Sequence, residues 1–254
     1  MLGTSGAPIL NDTTSTSYRN GLRAQAAQAL LTQGSTDGNL MVNQYAAIQN
    51  SAATKVVTVN NAYTAAGDLA TVFPNHDQDS GIGLQLHQVA RMIKARSQIG
   101  DARQIFFVNI GGFDSHQMQL STQSLMLQLV SQNINTFWTA MGELGMQKSV
   151  TLFTASDFGR TLGSNGSGTD HAWGSHHMII GGAVQGGKYY GKMPSLKIGG
   201  ADDLGPNSGQ VVPTTSTDQY AATLAQWFGV PAADLPTLFP NLSNFSAPTL
   251  GFLG

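Results

Sequence analysis

Four of the six histidines in this 254-residue chain, His116, His171, His176 and His177, share one stretch with Asp114, Asp157 and Asp170. Imidazole and carboxylate together suit zinc, manganese and iron, and carboxylate-rich sets also accept magnesium or calcium. Cysteine is absent, which removes thiolate ligands, disulfides and cysteine nucleophiles at once. A metal in this chain would therefore be held by some of Asp114, His116, Asp157, Asp170, His171, His176 and His177. In Asp114-Ser115-His116 the outer side chains are two residues apart, so extended backbone points both to one side while Ser115 points away. Adjacent His176 and His177 face opposite ways in extended backbone, so one of them, with His176 favoured, is expected to coordinate. Arg160 is placed to stabilise anionic charge and Thr161 offers a hydroxyl, whereas Thr154 and Ser156 read as strand-end residues without an activating base beside them. The same residues also allow a reading without metal, in which Asp114 caps the following helix, Asp157 pairs with Arg160 and the histidines are loop residues.

The elements that must position these groups follow from periodicity. Residues Ile105–Ile110, IFFVNI, form a short apolar run closed by Gly111 and Gly112, which predicts a buried strand. Leu127, Val130, Ile134, Phe137, Trp138, Met141 and Leu144 then follow helical spacing, with Gly145 placed to end the helix. Val150–Ala155 predicts a second buried strand, so a strand, helix, strand unit with parallel strands is expected. Ligands of such sheets sit beyond the carboxyl ends of the strands, where GGFDSH and SDFGRT both fall. Asp157 would be displayed at that edge, and the turn GSNGSG over Gly163–Gly168 could carry Asp170 and His171 back over it. Met178–Ile180 predicts a third strand before a glycine-rich turn.

The flanking regions predict packing elements. Leu22, Ala26, Ala29 and Leu30 lie on one face of a helix within Arg19–Leu31, and Asn39–Ala66 reads as helical in spite of the β-branched run Val56–Val59. Val72–Ser80 is a loop, and Ile82, Leu86, Val89, Ala90 and Ile93 mark an amphipathic helix ending near Gly100. His87 on that helix reads as a structural histidine; His76, beside Asp77, is open to either reading. Ser216 or Thr217 can cap a helix burying Tyr220, Leu224, Trp227 and Phe228, stopped by Gly229 and Pro231. The tail beyond Pro231 reads as a surface wrap.

Composition limits the partners. Charged residues are only 10% of the chain and the formal net charge is -2, so the basic field needed for nucleic acid is lacking. No apolar run is long enough for a membrane span, and Met1–Leu10 lacks the layout of a signal peptide. Low charge with abundant Gly, Ser, Thr, Asn and Gln is common among exported bacterial proteins and occurs in cytoplasmic proteins too. One globular unit is expected, with a helical region over 1–80 and an α/β core over 81–254.

The ordered segments FFVNIGGFDSH, FTASDFGRT, GTDHAWGSHHMIIGGAVQGGKYYG and VVPTTSTDQYAATLAQWFGV resemble the domain-of-unknown-function family 1501, over roughly Gly81–Gly254. Gly-Phe-Asp-Ser-His is similar to that family's Gly-Trp-Asp-Thr-His, and Ser-Asp-Phe-Gly-Arg-Thr to its Ser-Glu-Phe-Gly-Arg-Thr, with the acid shortened to Asp157. The resemblance extends to the alkaline phosphatases and sulfatases with which the family is grouped. It implies a mostly parallel sheet flanked by helices, with metal ligands at the carboxyl ends of the strands. By that resemblance Asp114 and His116 look like the ligands before the long helix, Asp157 like the acid after the next strand, and His176 or His177 like the later histidine. Asp157-Phe158 stands where alkaline phosphatases have an Asp-His pair, a place His171 can fill. The early acidic ligand, the Ser or Thr nucleophile and the glycine-rich acidic motif of the resembling enzymes are not recognisable before Gly81, so a chain incomplete at its N-terminus is expected.

The expected function is metal-dependent hydrolysis of a phosphate or sulfate ester, with zinc, or else manganese, magnesium or calcium, as cofactor. The substrate would be a small anionic ester or a sulfated or phosphorylated glycan. The alternative is an exported or surface binding module that keeps the fold and lacks the nucleophile. The resemblance implies a periplasmic or extracellular location for the full-length protein, although this chain shows no signal. A purely structural role leaves the clustering of so many ligand-type residues unexplained.

Overall fold

The computed structural model describes residues 18–73, 81–205 and 208–253. His76, Asp77 and most of the loop expected over Val72–Ser80 lie outside them. The chain forms two compact units, residues 1–108 and 109–254. No helix among the described residues is long and apolar enough to cross a membrane.

In the first unit, α1 (Tyr18–Gly34) packs against α2 (Leu40–Ala66). The Asn39 side chain accepts hydrogen bonds from the Met41 and Val42 N–H groups, satisfying donors that the first turn of α2 leaves open. The run Val56–Val59 is helical throughout, because a 27-residue helix with Ala46, Ala62 and Tyr63 buried overrides a local propensity of a few tenths of a kcal/mol per residue. Helix α3 (Ile82–Lys94) buries Ile82, Leu86, Val89, Ala90 and Ile93, the apolar stripe its spacing predicts, and is followed by the single turn α4 (Arg96–Ile99), closed by Gly100.

Polar bonds fasten α3 to the end of α2. His87 Nε2 lies 2.8 Å from Asp68 Oδ1, the Arg91 guanidinium covers the Tyr63 ring at 3.7 Å, and Lys94 donates to the Asp68 carbonyl. Burial alone would raise the Asp68 pKa. The hydrogen bonds from the Leu69 N–H and His87, together with the Arg91 charge, outweigh it and hold the carboxyl below its ordinary value. His87 thus has an acidic partner 19 residues away, a contact invisible to local spacing.

The second unit begins with irregular chain and continues as α5 (Gln119–Glu143), which buries Val130, Asn133, Phe137, Ala140 and Met141. Gly145, at φ 64°, follows the helix end as expected. Two antiparallel pairs follow: β1 (Thr151–Phe153) with β4 (Ile179–Gly181), and β2 (Gly159–Ser164) with β3 (Thr169–Ala172). Mixed helix and small antiparallel sheets therefore replace the expected mostly parallel sheet. Residues 105–110 join no ladder, and Ile105 and Phe107 are 77% and 86% exposed. An apolar run reports a tendency to be buried but does not name a hydrogen-bonding partner, and β1 finds its partner in the third predicted strand, whose Met178 continues the pairing through Thr154.

The C-terminal part carries much of this unit's core. Helix α6 (Thr217–Phe228) starts with a capping box between Ser216 and Gln219 and stops at Gly229. Its buried residues are Gln219, Ala222 and Thr223, whereas Tyr220, Leu224, Trp227 and Phe228 are half-buried. The tail is more than a surface wrap, because Leu235 and Leu242 pack with Ala222 and Phe252 is completely buried.

Between β4 and α6 a loop is organised by Asp203. Its Oδ2 accepts from the N–H groups of Gly199 (2.8 Å) and Gly209 (3.0 Å), and its Oδ1 from those of Gly205 (3.0 Å) and Gln210 (2.9 Å). These bonds, led by the one from Gly199, hold its pKa below the ordinary carboxyl value.

Two outcomes are expected. Met141→Ala should destabilise the protein by about 2–5 kcal/mol in denaturant unfolding, whereas Leu120→Ala, at a residue 94% exposed, should change it by less than about 0.5 kcal/mol. Because the folded pKa of Asp203 is depressed, its contribution is present above the unfolded carboxyl pKa and is lost as pH falls through the folded value. Hydrogen exchange at the Gly205, Gly209 and Gln210 amides, relative to the pH-corrected intrinsic rate, should therefore lose protection in that acid range.

Candidate metal centre

The site is assembled from two chain segments, the irregular stretch before α5 and the β2–β3 hairpin. Asp114 and His116 project to one side as their two-residue spacing predicts, with buried Ser115 between them. The hairpin turn seats on the same backbone. Asn165 Nδ2 donates to the His116 carbonyl at 3.1 Å, and Asn165 Oδ1 accepts from the Ser167 and Gly168 N–H groups. Gly168 is required by proximity, since a Cβ there would stand 2.3 Å from the His116 carbonyl carbon and 2.5 Å from the Ser115 oxygen. The turn also meets the start of α5, where the Gln119 N–H donates to the Ser167 carbonyl and the Met118 N–H to Ser167 Oγ. GSNGSG is thus an Asx-type turn that brings Asp170 and His171 to Asp114 and His116.

Three donor atoms meet there. Asp114 Oδ1 lies 2.9 Å from His171 Nε2 and 3.1 Å from His116 Nε2, and the two Nε2 atoms are 3.1 Å apart. All three side chains are exposed, and theirs is the group among the described residues whose donor atoms could hold a metal ion. The other nitrogen of His116, Nδ1, lies 3.1 Å from Asp170 Oδ1. Asp170 is ionised above a pKa lowered first by the Asn165 hydrogen bond and then by His116. A carboxylate only accepts, so it fixes the proton of a neutral His116 on Nδ1 and leaves a lone pair on Nε2. In that tautomer His116 Nε2 has no proton to donate to Asp114 Oδ1, 3.1 Å away.

A second ring proton on His116 would satisfy this contact, and so would a metal ion among the three donor atoms. Donor atoms around tetrahedral zinc, at about 2.0–2.1 Å from the ion, stand roughly 3.3 Å from one another. Around an octahedral ion at about 2.1 Å they stand roughly 3.0 Å apart. The observed edges fall at this scale, and the donor set has the His and carboxylate chemistry of zinc or manganese sites.

The neighbours fix the rings and the charge. Phe158 stacks on His171, with centroids 3.9 Å apart and planes inclined by 13°. Arg160 Nη1 donates to Asp114 Oδ1 at 2.5 Å, its Nε donates to Thr169 Oγ1, and its Nη2 donates to the Thr169 carbonyl. Burial raises the Asp114 pKa, but the hydrogen bonds from His171 and Arg160 overcome this and lower it. Arg160 is thus the partner of Asp114, and Asp114 does not cap α5, whose first turn has no side-chain cap. Thr161 is buried, its hydroxyl donating to the Gly163 carbonyl and accepting from the Asp170 N–H.

The remaining sequence candidates stand outside the triangle. Asp157 and His176 are exposed and are not among its members. His177 Nδ1 lies 3.4 Å from Thr154 Oγ1 and its ring packs by Tyr220 at 5.7 Å; burial and the neighbouring His176 charge lower its pKa. Thr154 therefore has an imidazole beside it that its sequence neighbours gave no sign of. Its hydroxyl also accepts the Met178 N–H, which continues the β1–β4 pairing.

The fold and the cluster define a helix-rich chain whose exposed His and carboxylate groups are held by a β-hairpin turn. The chain belongs to the family described as protein of unknown function (DUF1501), whose model matches residues 9–207. The match thus includes the helical hairpin and the whole donor cluster. No curated protein and no solved structure matches the chain.

Gly168→Ala should destabilise the second unit by about 1–3 kcal/mol, the usual cost of overpacking, because backbone rather than a yielding side chain opposes the added methyl. Denaturant unfolding measures the loss. An unchanged midpoint would show that the turn is not seated as described.

Proposed function

We propose that the chain holds a divalent metal, zinc first and manganese, magnesium or calcium next, through Asp114, His116 and His171, and that the centre serves hydrolysis of a phosphate or sulfate ester. The observation that carries this reading is the triangle of donor atoms whose edges are 2.9–3.1 Å, with Asp170 holding the far nitrogen of His116. A carboxylate behind a ligating imidazole is the usual outer partner at metal sites, where it sets the tautomer and raises ligand basicity. A metal there would supply Lewis acidity towards an ester oxygen and towards water.

The chain's own residues do the rest. Asp170 keeps the His116 proton on Nδ1, Phe158 limits rotation of the His171 ring, and Arg160 offsets the Asp114 charge. Thr161 supports the Asp170 backbone, and Arg160 retains N–H donors beyond its three bonds to Asp114 and Thr169. The ordered motifs support kinship with alkaline phosphatases and sulfatases, and hence a small anionic ester or a sulfated or phosphorylated glycan as substrate. They likewise support a periplasmic or extracellular location for the full-length protein. Asp157, His176 and His177 are proposed as further ligands on the resemblance alone.

A second reading, a binding module without turnover, is favoured by one observation. The Thr161 hydroxyl, a sequence candidate for chemistry, is buried and engaged as both donor and acceptor.

Calorimetric titration of the apo chain with zinc should give one site, and Asp114→Ala, His116→Ala and His171→Ala should each remove it. Asp170→Asn should weaken binding about 10–100-fold, as loss of an outer-shell partner does. Affinity should also fall on acidification, as protons displace the metal from the imidazoles. Equal zinc binding by the wild type and all three Ala variants would eliminate the site. With chromogenic phosphate and sulfate esters, turnover should depend on metal and on Asp114 and should leave no covalent adduct on Ser or Thr by mass spectrometry. Metal binding without turnover would select the binding module.

A further inference from the structure

The β2–β3 hairpin that carries Asp170 and His171 is short, and its pairing is irregular between Arg160 and Ser164. Hairpins of this length are marginal by themselves. The loop folded by Asp203 supplies the missing support. The Leu162 N–H donates to the Gly209 carbonyl at 3.1 Å and the Gly163 N–H to the Ser208 carbonyl at 3.0 Å, so this stretch runs beside β2. The approach is close enough to require glycine, since Gly209 has φ 75° and a Cβ there would stand 2.6 Å from Leu162 Cβ. The next residue reaches the other strand, where Gln210 Nε2 donates to the His171 carbonyl at 3.1 Å. The Gly209 and Gln210 N–H groups are the two that Asp203 holds from this stretch, one on each carboxylate oxygen.

We propose that Asp203 is a positioning residue for His171, acting through Gln210. The carboxylate fixes the 209–210 backbone, the Gln210 amide fixes the His171 carbonyl, and the imidazole is thereby set against Asp114 and His116. A carboxylate suits the task because it accepts from all four N–H groups and donates to none. An amide of the same shape turns its NH2 towards two of those donors, so at most two of the four bonds survive. The proposal rests on the reading of His171 as part of the metal-holding set, and it adds a control on that set from a loop with no ligand of its own.

The test uses the full chain with Asp203→Asn, Gln210→Ala and, as a control, Asp202→Asn. Asp202 accepts the Ser195 N–H in the same loop but does not hold residues 209–210 by its side chain. Long-range proton–nitrogen spectra of the imidazoles are recorded without metal, followed by titration with zinc. In Asp203→Asn and Gln210→Ala the ring signals of His171 should move while those of His87 stay in place, and the zinc Kd should rise at least about tenfold. Asp202→Asn should leave the His171 signals unchanged. His171 signals that superimpose on wild type in both test variants would overturn the proposal, and movement in Asp203→Asn alone would overturn the route through Gln210. Should Asp203→Asn fail to fold, Gln210→Ala decides by itself. If wild type binds no zinc while the His171 signals still move in both variants, the metal reading fails and the positioning role stands.

Discussion

The seating of the Asn165–Gly168 turn on the backbone of Ser115 and His116 is the contact on which the donor cluster depends. Asn165 uses its whole side-chain amide there, the carbonyl closing its own turn while the NH2 binds both the His116 carbonyl and Asp170. Gly168 allows the approach because it has no Cβ. With the turn in place, the first residues of β3 deliver an outer carboxylate and an imidazole to a segment that already presents a carboxylate and an imidazole. Neither segment makes the arrangement alone.

Charge within the cluster is balanced locally. Asp114 Oδ1 receives Arg160 and His171 at hydrogen-bond distance, so a metal would share this oxygen with a guanidinium. Arginine stays protonated under all folding conditions and therefore compensates Asp114 whether or not an ion is bound. The carboxylate need not be neutralised by a proton in the metal-free chain, which keeps it available as a ligand. The exposure of all three donor side chains limits the desolvation cost of this arrangement.

Much of the cluster was legible in the sequence because it follows from short-range geometry. The i, i+2 spacing placed Asp114 and His116 on one side, and the glycine-rich turn returned Asp170 and His171 to them. The division of roles did not follow from spacing, since Asp170 standing behind His116 and Arg160 pairing with Asp114 depend on side-chain rotamers across 54 and 46 residues. The helices were legible for the same local reason, as the apolar stripe of α3 and the Ser216 cap of α6 illustrate. Strand partners were not. The apolar run of residues 105–110 suggested a strand beside β1, but pairing is a long-range choice and β1 pairs with β4. The buried Phe252 was hidden by its surroundings, where Pro and Asn signal surface chain although one aromatic ring is fully enclosed.

The separation of the cluster's two halves also bears on how the chain reaches its native state. The contacts of His116 with Asp170 and of Asp114 with His171 close loops of 54 and 57 residues. Such closures carry a large entropic cost before any contact compensates it, whereas α5 between them can form from local bonds. A peptide cut from either segment carries the residue types without their convergence, and a nascent chain has no complete donor set until β3 has been synthesised.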